Sequence, residues 1–559
     1  MPEPILAAGK TWFAPTNSSV TRSNFTKIEF MDSYTPDASV TVTDTWDASD
    51  AKDGSVTCYA IGTKLIIAGN GSGKVYANED SSNAFGGFSG GKFANVTHIL
   101  NASVFNTSLC KNVGFMFAND GNLIEIDVSS WDMSNVEIMY NMFSTCKKIE
   151  VLNVRDWNIK KISGWDATGI FSDCESLKKL DLSMWDVSNV TSLYDVFFRC
   201  KSLVELDIST LDVSSVESFS RTFYECFALK ELDVSSWNTS SCTDMESMFY
   251  ACSALEKMDV SNWDTSGVTT TSNMFSDCSV LKNLDVSNWD TSACTNMGFM
   301  FYNCSSIKEI DVSNWDTSKV TTLDHFAAHA NLKRKGMENW NTSSLVNANA
   351  AFHNCAEEEL DLSGWDVSKV QFFCQMFENS PNLKRIKGLD KWNTSAGLGF
   401  DGMFERCSKL EELDLSGFNT TKAKNNVSAS SNGHKTATMN NMFLSCNNLE
   451  KVTVGANFSV NGDGTNTTAA NKAILPTPSA TYIPGADGNW YTFNGDQYAP
   501  NAMKDRTAAT YYASRTAVYD ADVIVKNSSL IDTAKAIREK NGTTTQYTPS
   551  EFGAVIRAL

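Results

Sequence analysis

Apolar and polar positions recur at a fixed interval along most of this chain, and that recurrence decides the reading before any single residue does. Trp237, Trp263, Trp289 and Trp315 fall 26 residues apart, and so do Phe171, Phe197, Phe223, Phe249, Phe275 and Phe301. Cys174, Cys200, Cys226, Cys252, Cys278 and Cys304 keep the same interval. Steps of 25 to 28 residues extend the pattern both ways. The result is about twelve units from roughly Phe105 to Val454.

One unit reads Leu281-Lys-Asn-Leu284-Asp285-Val286-Ser287-Asn288-Trp289-Asp290-Thr291-Ser292 and runs on through Met297, Met300, Phe301 and Cys304. Alternation predicts a short strand with Leu284 and Val286 inward and Asp285 and Ser287 on the open face. The Trp-Asp-Thr-Ser run predicts a turn, because Asp and Ser bond nearby backbone N–H groups. Met297, Met300, Phe301 and Cys304 fall at helical spacing and predict about two turns of helix on the outer side. A single unit cannot bury its apolar stripe, so the units must stack into one continuous core. The opening fits L-x-x-L-x-L-x-x-N-x-L with Trp in place of Asn, and Leu177, Leu180, Leu182, Trp185 and Val187 fit it as well. The expected fold class is an α/β repeat, a leucine-rich-repeat solenoid spanning 96–455.

The string LDVSNWDTSACTNMGFMFYNCSSIKE resembles the BspA-type leucine-rich repeat, the 26-residue repeat of bacterial surface proteins. The resemblance implies a solenoid and a binding role. It brings no catalytic residues to carry over. Relatives of this kind include surface adhesins and proteins of phages and gut bacteria, and bacterial members usually carry export and anchoring signals. None is evident here: Met1-Pro2-Glu3-Pro4 has no basic stretch, and the apolar run Ile5 to Ala8 is too short for a signal core.

The flanks read differently. Residues 1–95 predict a small β domain capping the solenoid, with strands at Thr26–Phe30, Ser39–Thr43 and Leu65–Ile67. Gly69-Asn-Gly-Ser-Gly73 reads as a turn and Phe85 to Gly91 as a flexible join. Residues 456–526 are rich in Asn, Thr, Ala and Gly and read as irregular or β structure. Residues 527–559 predict a helical hairpin. Leu530, Ile531, Ala534 and Ile537 form one stripe, Gly542 ends it, and Thr548-Pro549-Ser550-Glu551 caps a second stripe of Phe552, Val555, Ile556 and Leu559. The string LIDTAKAIREKNGTTTQYTPSEFGAVIRAL resembles a short module at the ends of phage and prophage structural proteins.

Charge narrows the partners. The net charge of -19 opposes nucleic acid and anionic lipid, which both need clustered Lys and Arg. No run approaches the roughly 20 apolar residues of a membrane span. The 15 cysteines fall mostly in one repeat position, which predicts buried thiols rather than a disulfide framework.

Candidate chemistry sits on the sheet face. Asp181, Asp207, Asp233, Asp259, Asp285 and Asp311 form a ladder there, continued by Asp127, Asp361 and Asp414. Neighbours about 4.8 Å apart repel by about 0.9 kcal/mol even in water, so something must offset them. Bonds from serines such as Ser287 or from turn N–H groups are the first expectation. Bound calcium is the second, and it needs about six to eight oxygens. Paired catalytic carboxylates are the last, since a glycosidase needs two unequal carboxyls in a cleft. His329 reads as the occupant of the cysteine position between Cys304 and Cys355, near His325 and His353; a slot filled by histidine is weighed there against a Cys/His metal site. The irregular units from 324 to 435, with Lys333-Arg334-Lys335 and the insertion Lys422 to Thr438, read as a contact region.

The leading expectation is a non-enzymatic virion protein of tail- or head-fibre type. Its solenoid recognises a host cell-surface glycan or protein, and its ends join other virion proteins or make a homo-oligomer. The second is a cell-surface adhesin of the BspA type, and the third a structural decoration protein of a phage particle. No cofactor other than calcium is implied.

Overall fold

The computed structural model describes residues 2–87, 92–424, 439–462 and 473–515, residue 518, and the backbone of the strand pair Val427–Ser428 and Lys435–Thr436. The expected hairpin at 527–559 lies outside the described residues. So do Phe88 to Gly91, most of the Lys422 to Thr438 insertion, and His434.

The repeat builds a solenoid. Short strands stack in parallel and in register, as in Lys179–Asp181 against Glu205–Asp207, Glu309–Asp311 against Lys333–Lys335, and Glu359–Asp361 against Arg385–Lys387. Single parallel bridges link the units between, from Glu231 to Lys257 to Asn283. Leu284 and Val286 are buried and Asp285 is exposed, as alternation requires.

The outer side is not helical. Among the described residues of the repeats the helices are single 3-10 turns such as Met337–Asn339 and Leu389–Lys391. Two chained turns take the place of the expected α-helix. The amides of Met274, Ser276 and Cys278 close them onto the carbonyls of Thr271, Asn273 and Phe275 at 3.1–3.2 Å. The alternate amides, of Thr271, Asn273, Phe275 and Asp277, donate to Asn296, Gly298, Met300 and Tyr302 of the next unit at 2.8–3.0 Å. Every amide is therefore spent, half within the unit and half between units. This geometry needs two left-handed residues four positions apart, here Asn273 at φ 57° and Asp277 at φ 62°. Non-glycine residues adopt that region at about 1–2 kcal/mol each, which the ladder of bonds offsets.

Aromatic columns fill the space between the two faces. Trp237, Trp263, Trp289, Trp315 and Trp340 stack with successive centroids 6.1–6.4 Å apart. The indole N–H of Trp289 donates to Val260 O of the preceding unit at 3.1 Å, and that of Trp315 to Val286 O at 3.0 Å. Phe223, Phe249, Phe275 and Phe301 stack beside them at 5.3–5.8 Å.

Both ends of the solenoid are closed by β-structure that shares its core. At the start, β1 (Lys27–Met31), β2 (Asp44–Asp47), β3 (Thr57–Ile61) and β4 (Lys64–Ala68) form a sheet in the order β2-β3-β4-β1, which continues into His98–Leu100 and Glu125–Ile126 of the first units. The strand expected at Ser39–Thr43 falls instead at β2, and β3 was not foreseen. The expected flexible join is packed where it is described: Phe85 stacks on Phe117 at 5.4 Å, and a Cβ on Gly86 would meet Ala118 N at 2.3 Å. Asp120 occupies the cysteine column of the first unit, and burial pushes its carboxyl up. Arg22 faces it with its guanidinium 4.9–5.3 Å from the rings of Trp12, Phe13 and Phe93. At the far end Ala509–Tyr512 pairs antiparallel with Lys451–Val454 and then with Trp490–Thr492, so part of 456–526 is a β cap.

Candidate functional site

The sheet face carries the acidic ladder, and its geometry shows what offsets the repulsion. Oδ1 of Asp181, Asp207, Asp233, Asp259, Asp285 and Asp311 accepts the amide of the serine two residues on at 2.9–3.3 Å. In the first five the serine hydroxyl donates to the same oxygen at 2.6–2.9 Å. These bonds hold the Asp181 and Asp259 carboxyls below the usual range. The ends of the run are closed by cations: Arg155 Nε lies 3.1 Å from Asp181, and Lys335 Nζ lies 2.5 Å from Asp311. Lys335, with Ser313, holds Asp311 down at about 2. In the adjoining columns Lys179, Lys257 and Lys282 are each paired with a glutamate, Glu205, Glu231 and Glu256, at 2.6–3.1 Å. The ladder adjoins a shallow hollow where the charged pattern breaks, lined by Val151, Lys179, Asp181, Val204, Leu206 and Asp207. Val151 there is 62% exposed.

No group of three or more His, Cys, Asp or Glu side chains that could hold a metal ion occurs among the described residues. With one oxygen of each aspartate already committed to serine, the ladder offers calcium too few free oxygens per repeat. Excess chelator should therefore leave the melting temperature within about 1 °C of its value in calcium. A drop of several degrees in a differential scanning experiment would restore the cation to the ladder.

The fifteen cysteines are free and buried. Those of the repeat column donate Sγ–H to the phenylalanine carbonyl of the preceding unit, Cys252 to Phe223 at 3.1 Å, Cys278 to Phe249 at 3.2 Å and Cys304 to Phe275 at 3.0 Å. Burial pushes the thiols up, Cys226 to about 12, so they are donors rather than nucleophiles. Ser380 fills the same position in its unit and donates to Phe352 O at 3.1 Å. On that pattern Cys252→Ser should cost less than about 1 kcal/mol. Cys252→Val strands the Phe223 carbonyl and should cost about 1–3 kcal/mol. Equal losses in chemical denaturation would show that packing, not the donor, holds the column.

His329 does not occupy the cysteine position. The amide of Phe301 donates to Phe326 O, and that of Asn303 to Ala328 O. Phe326 thus lies in the column of Met300, Ala327 in that of Phe301, Ala330 in that of Cys304, and His329 in the left-handed column of Asn303, at φ 60°. The one-residue shortening falls a unit later than the phenylalanine spacing suggests. His329 and His353 still approach, with ring centroids 4.2 Å apart, and His325 stacks on Phe299 at 4.7 Å. His353 Nδ1 is buried without a hydrogen-bond partner, and burial with His329 nearby lowers its pKa to about 3. The ring is therefore neutral at ordinary pH.

The basic triplet is not a contact patch as a whole. Arg334 points into the core with its side chain 1% exposed, paired with Glu357 at 3.3 Å. Lys335 is spent on Asp311, and Lys333 alone of the three is exposed without an ion pair. Composition gave no sign of a further cluster, Glu378, Asp401 and Glu405, whose carboxylates converge over Gly402.

The chain belongs to the family described as Mycoplasma protein of unknown function, DUF285, whose model matches residues 83–197, 165–258, 254–363, 301–387 and 347–461. No curated protein matches it. Among solved structures it is similar to a leucine-rich cell surface protein from Faecalibacterium prausnitzii, at 14% identity and a TM-score of 0.30, over 80% of this chain and 86% of that one. It is also similar to an LRR protein from Leptospira interrogans, at 12% identity and a TM-score of 0.20, over 63% and 72%. The functional domain of InlJ from Listeria monocytogenes, which includes a cysteine ladder, matches at 12% identity and a TM-score of 0.19, over 73% and 86%. No helix among the described residues is long and apolar enough to cross a membrane.

Proposed function

We propose that this protein is a non-enzymatic binding protein that presents its solenoid to a partner at a cell surface. The observation that carries this reading is the in-register repetition of exposed carboxylates and hydroxyls on a rigid parallel ladder. Such a face makes many weak, identical contacts to an extended ligand. Two settings fit. In one the chain is a surface adhesin, as the BspA-type resemblance implies. In the other it is a virion protein whose ends join other virion proteins or a second copy, as the phage-module resemblance of 527–559 implies; there the partner is a host cell-surface glycan or protein. The test is saturable binding of labelled full-length protein to a panel of bacterial cells. Binding confined to a few strains supports recognition. Absence of binding to every strain would sink it in favour of a purely structural role. Detection of the chain in purified virions separates the two settings.

A further inference from the structure

Two neighbouring columns of the strand face are charged in almost every unit, and valine breaks both at one place. In the column of Glu125, Lys179, Glu205, Glu231 and Lys257, the residue between Glu125 and Lys179 is Val151. In the column of Glu150, Lys178, Lys230 and Glu256, the residue between Lys178 and Lys230 is Val204. Val151 is 62% exposed and Val204 41%. Leu206 stands at an inward position that is buried in the units on either side, at Leu180 and Leu232, and is itself only half-buried. The three line one hollow of about 710 Å³ on the strand face. Aliphatic surface left contiguous and exposed among charged columns marks a contact site rather than a solvated face.

The cations around the hollow are already paired. Lys178 Nζ reaches back to Glu150 and Lys179 Nζ forward to Glu205, each at 2.6 Å. Arg155 closes on Asp181 at 3.1 Å, and Lys257 takes Glu231 at 3.1 Å. Asp207 is left with Ser209, whose amide and hydroxyl donate to its Oδ1 at 3.3 Å and 2.9 Å. Asp233, one unit on, is left with Ser235 at 3.2 Å and 2.7 Å. Neither carboxylate has an ion pair among the described residues, and each keeps Oδ2 for a ligand. An aliphatic floor beside unneutralised carboxylates complements an aliphatic side chain flanked by positive charge.

We infer that this hollow docks an extended segment of a partner protein, one that offers an aliphatic side chain between lysines or arginines. The aliphatic side chain covers Val151, Val204 and Leu206, and a basic neighbour reaches Asp207 and Asp233. In an extended segment side chains two residues apart share a face about 6.6–7 Å apart, so alternate basic and aliphatic residues meet the rim and the floor together. A glycan fits less well, because sugar rings pack their C–H faces on flat aromatic rings and the described lining is aliphatic and polar. An anionic lipid surface would meet carboxylates of its own sign. The inference rests on the binding role proposed above and gives that role a partner class and a place on the strand face.

The test uses the full-length chain and a fluorescein-labelled nonapeptide, KTLTKTLTK, which carries its lysines and leucines on one face when extended. Fluorescence anisotropy at low salt should give a dissociation constant of about 0.1–1 mM. The peptide with serine for both leucines should bind about tenfold more weakly, and the one with glutamate for the lysines should not bind. Val204→Lys restores the lysine of the adjoining units. It should weaken binding at least about tenfold and leave the melting temperature within about 1 °C. Asp207→Asn keeps a serine-bonded oxygen, and should weaken binding about threefold and flatten its salt dependence. Asn283→Lys adds the same charge in the column of Val151 outside the hollow, and should change binding less than about twofold. Absence of saturable peptide binding, or binding undiminished in Val204→Lys, overturns the site. So does cell binding lost on periodate oxidation of the cells but kept after trypsin treatment, which would make the partner a glycan. Failure of the broader role looks different: there the wild-type chain binds no cells although the nonapeptide still binds at the hollow. Conversely, cell binding that survives Val204→Lys leaves the role standing and removes the hollow from it.

Discussion

Arg334→Ala is expected to destabilise the protein by about 3–5 kcal/mol, the cost of leaving a buried charge without its partner. In the other described repeats this inward position is apolar, as at Met258, Leu284, Ile310, Leu360 and Ile386. Arg334 is tolerated because the two core residues that would collide with it are small: Ala327 stands where other units have phenylalanine, and Ala330 where most have cysteine. Into that space the guanidinium donates to Ala327 O at 3.1 Å and Leu332 O at 3.2 Å, and it meets Glu357 Oε2 at 3.3 Å. Glu357 also accepts the Arg334 amide at 2.9 Å, so losing the side chain strands a carboxylate already tied to the backbone. Arg334→Leu alone should still be destabilising, because a leucine does not fill the volume. The triple replacement Ala327→Phe, Ala330→Cys and Arg334→Leu should recover part of the loss, with a coupling of about 1–3 kcal/mol relative to the separate changes. Chemical denaturation gives the totals. Hydrogen exchange at the Phe301 and Asn303 amides, which bond into this unit, should show the loss is local. A melting curve unmoved by Arg334→Ala would mean the cavity floods and the pair contributes nothing.

This unit also shows where reading the sequence succeeds and where it stops. The strand half is legible because a period of two leaves no alternative: Leu284 and Val286 must face one way and Asp285 the other. The turn half is misread for a physical reason. Two chained turns, each reversed by a left-handed residue, bring Met297, Met300, Phe301 and Cys304 to one side just as two helical turns do. A four-residue period and a 3.6-residue period differ too little over eight residues to separate. The distinguishing signal is the residue type at the left-handed positions. Asn141, Gly169, Asp173, Asn273, Asp277 and Asn303 announce them, but Arg221, Glu225, Phe299 and His325 adopt the same conformation and do not. The aspartate ladder was legible as a column, and so was a serine partner for it. Its closure by Arg155 and Lys335 was not, since both depend on which units face each other across a step. The misplacement of His329 has the same origin. One deleted residue can be absorbed at several points of a unit, and only the inter-unit hydrogen bonds say which.

Asp401→Asn is expected to stabilise the protein at pH 8 by about 2 kcal/mol while leaving it nearly unchanged at pH 4. Burial, reinforced by Glu405 and Glu378, raises the Asp401 carboxyl from the ordinary 3.8 to about 7. Its Oδ1 is buried without a hydrogen-bond partner, so the folded state favours the proton. Glu378 is raised too, by burial and by Glu405, although Gln375 Nε2 donates to it at 2.5 Å. The sign follows from linkage. For an acid whose folded value is raised, the stabilising contribution is complete below about 3.8 and is lost as the pH climbs through about 7. Wild-type stability should therefore fall across that window and level off above it. Asparagine keeps the shape and removes the titration, so the difference between variant and wild type should open across the same window. The interval between the two values caps the gain at about 4 kcal/mol, and relaxation of the shared cluster brings it to roughly half. Glu378→Gln should act in the same direction and less than additively with Asp401→Asn, because it removes a charge that raises Asp401. Denaturation midpoints for both single variants and the double, taken at pH 4 and pH 8, decide it. A gain that is the same at both pH values would mean that packing rather than the charge of the Asp401 carboxylate accounts for it.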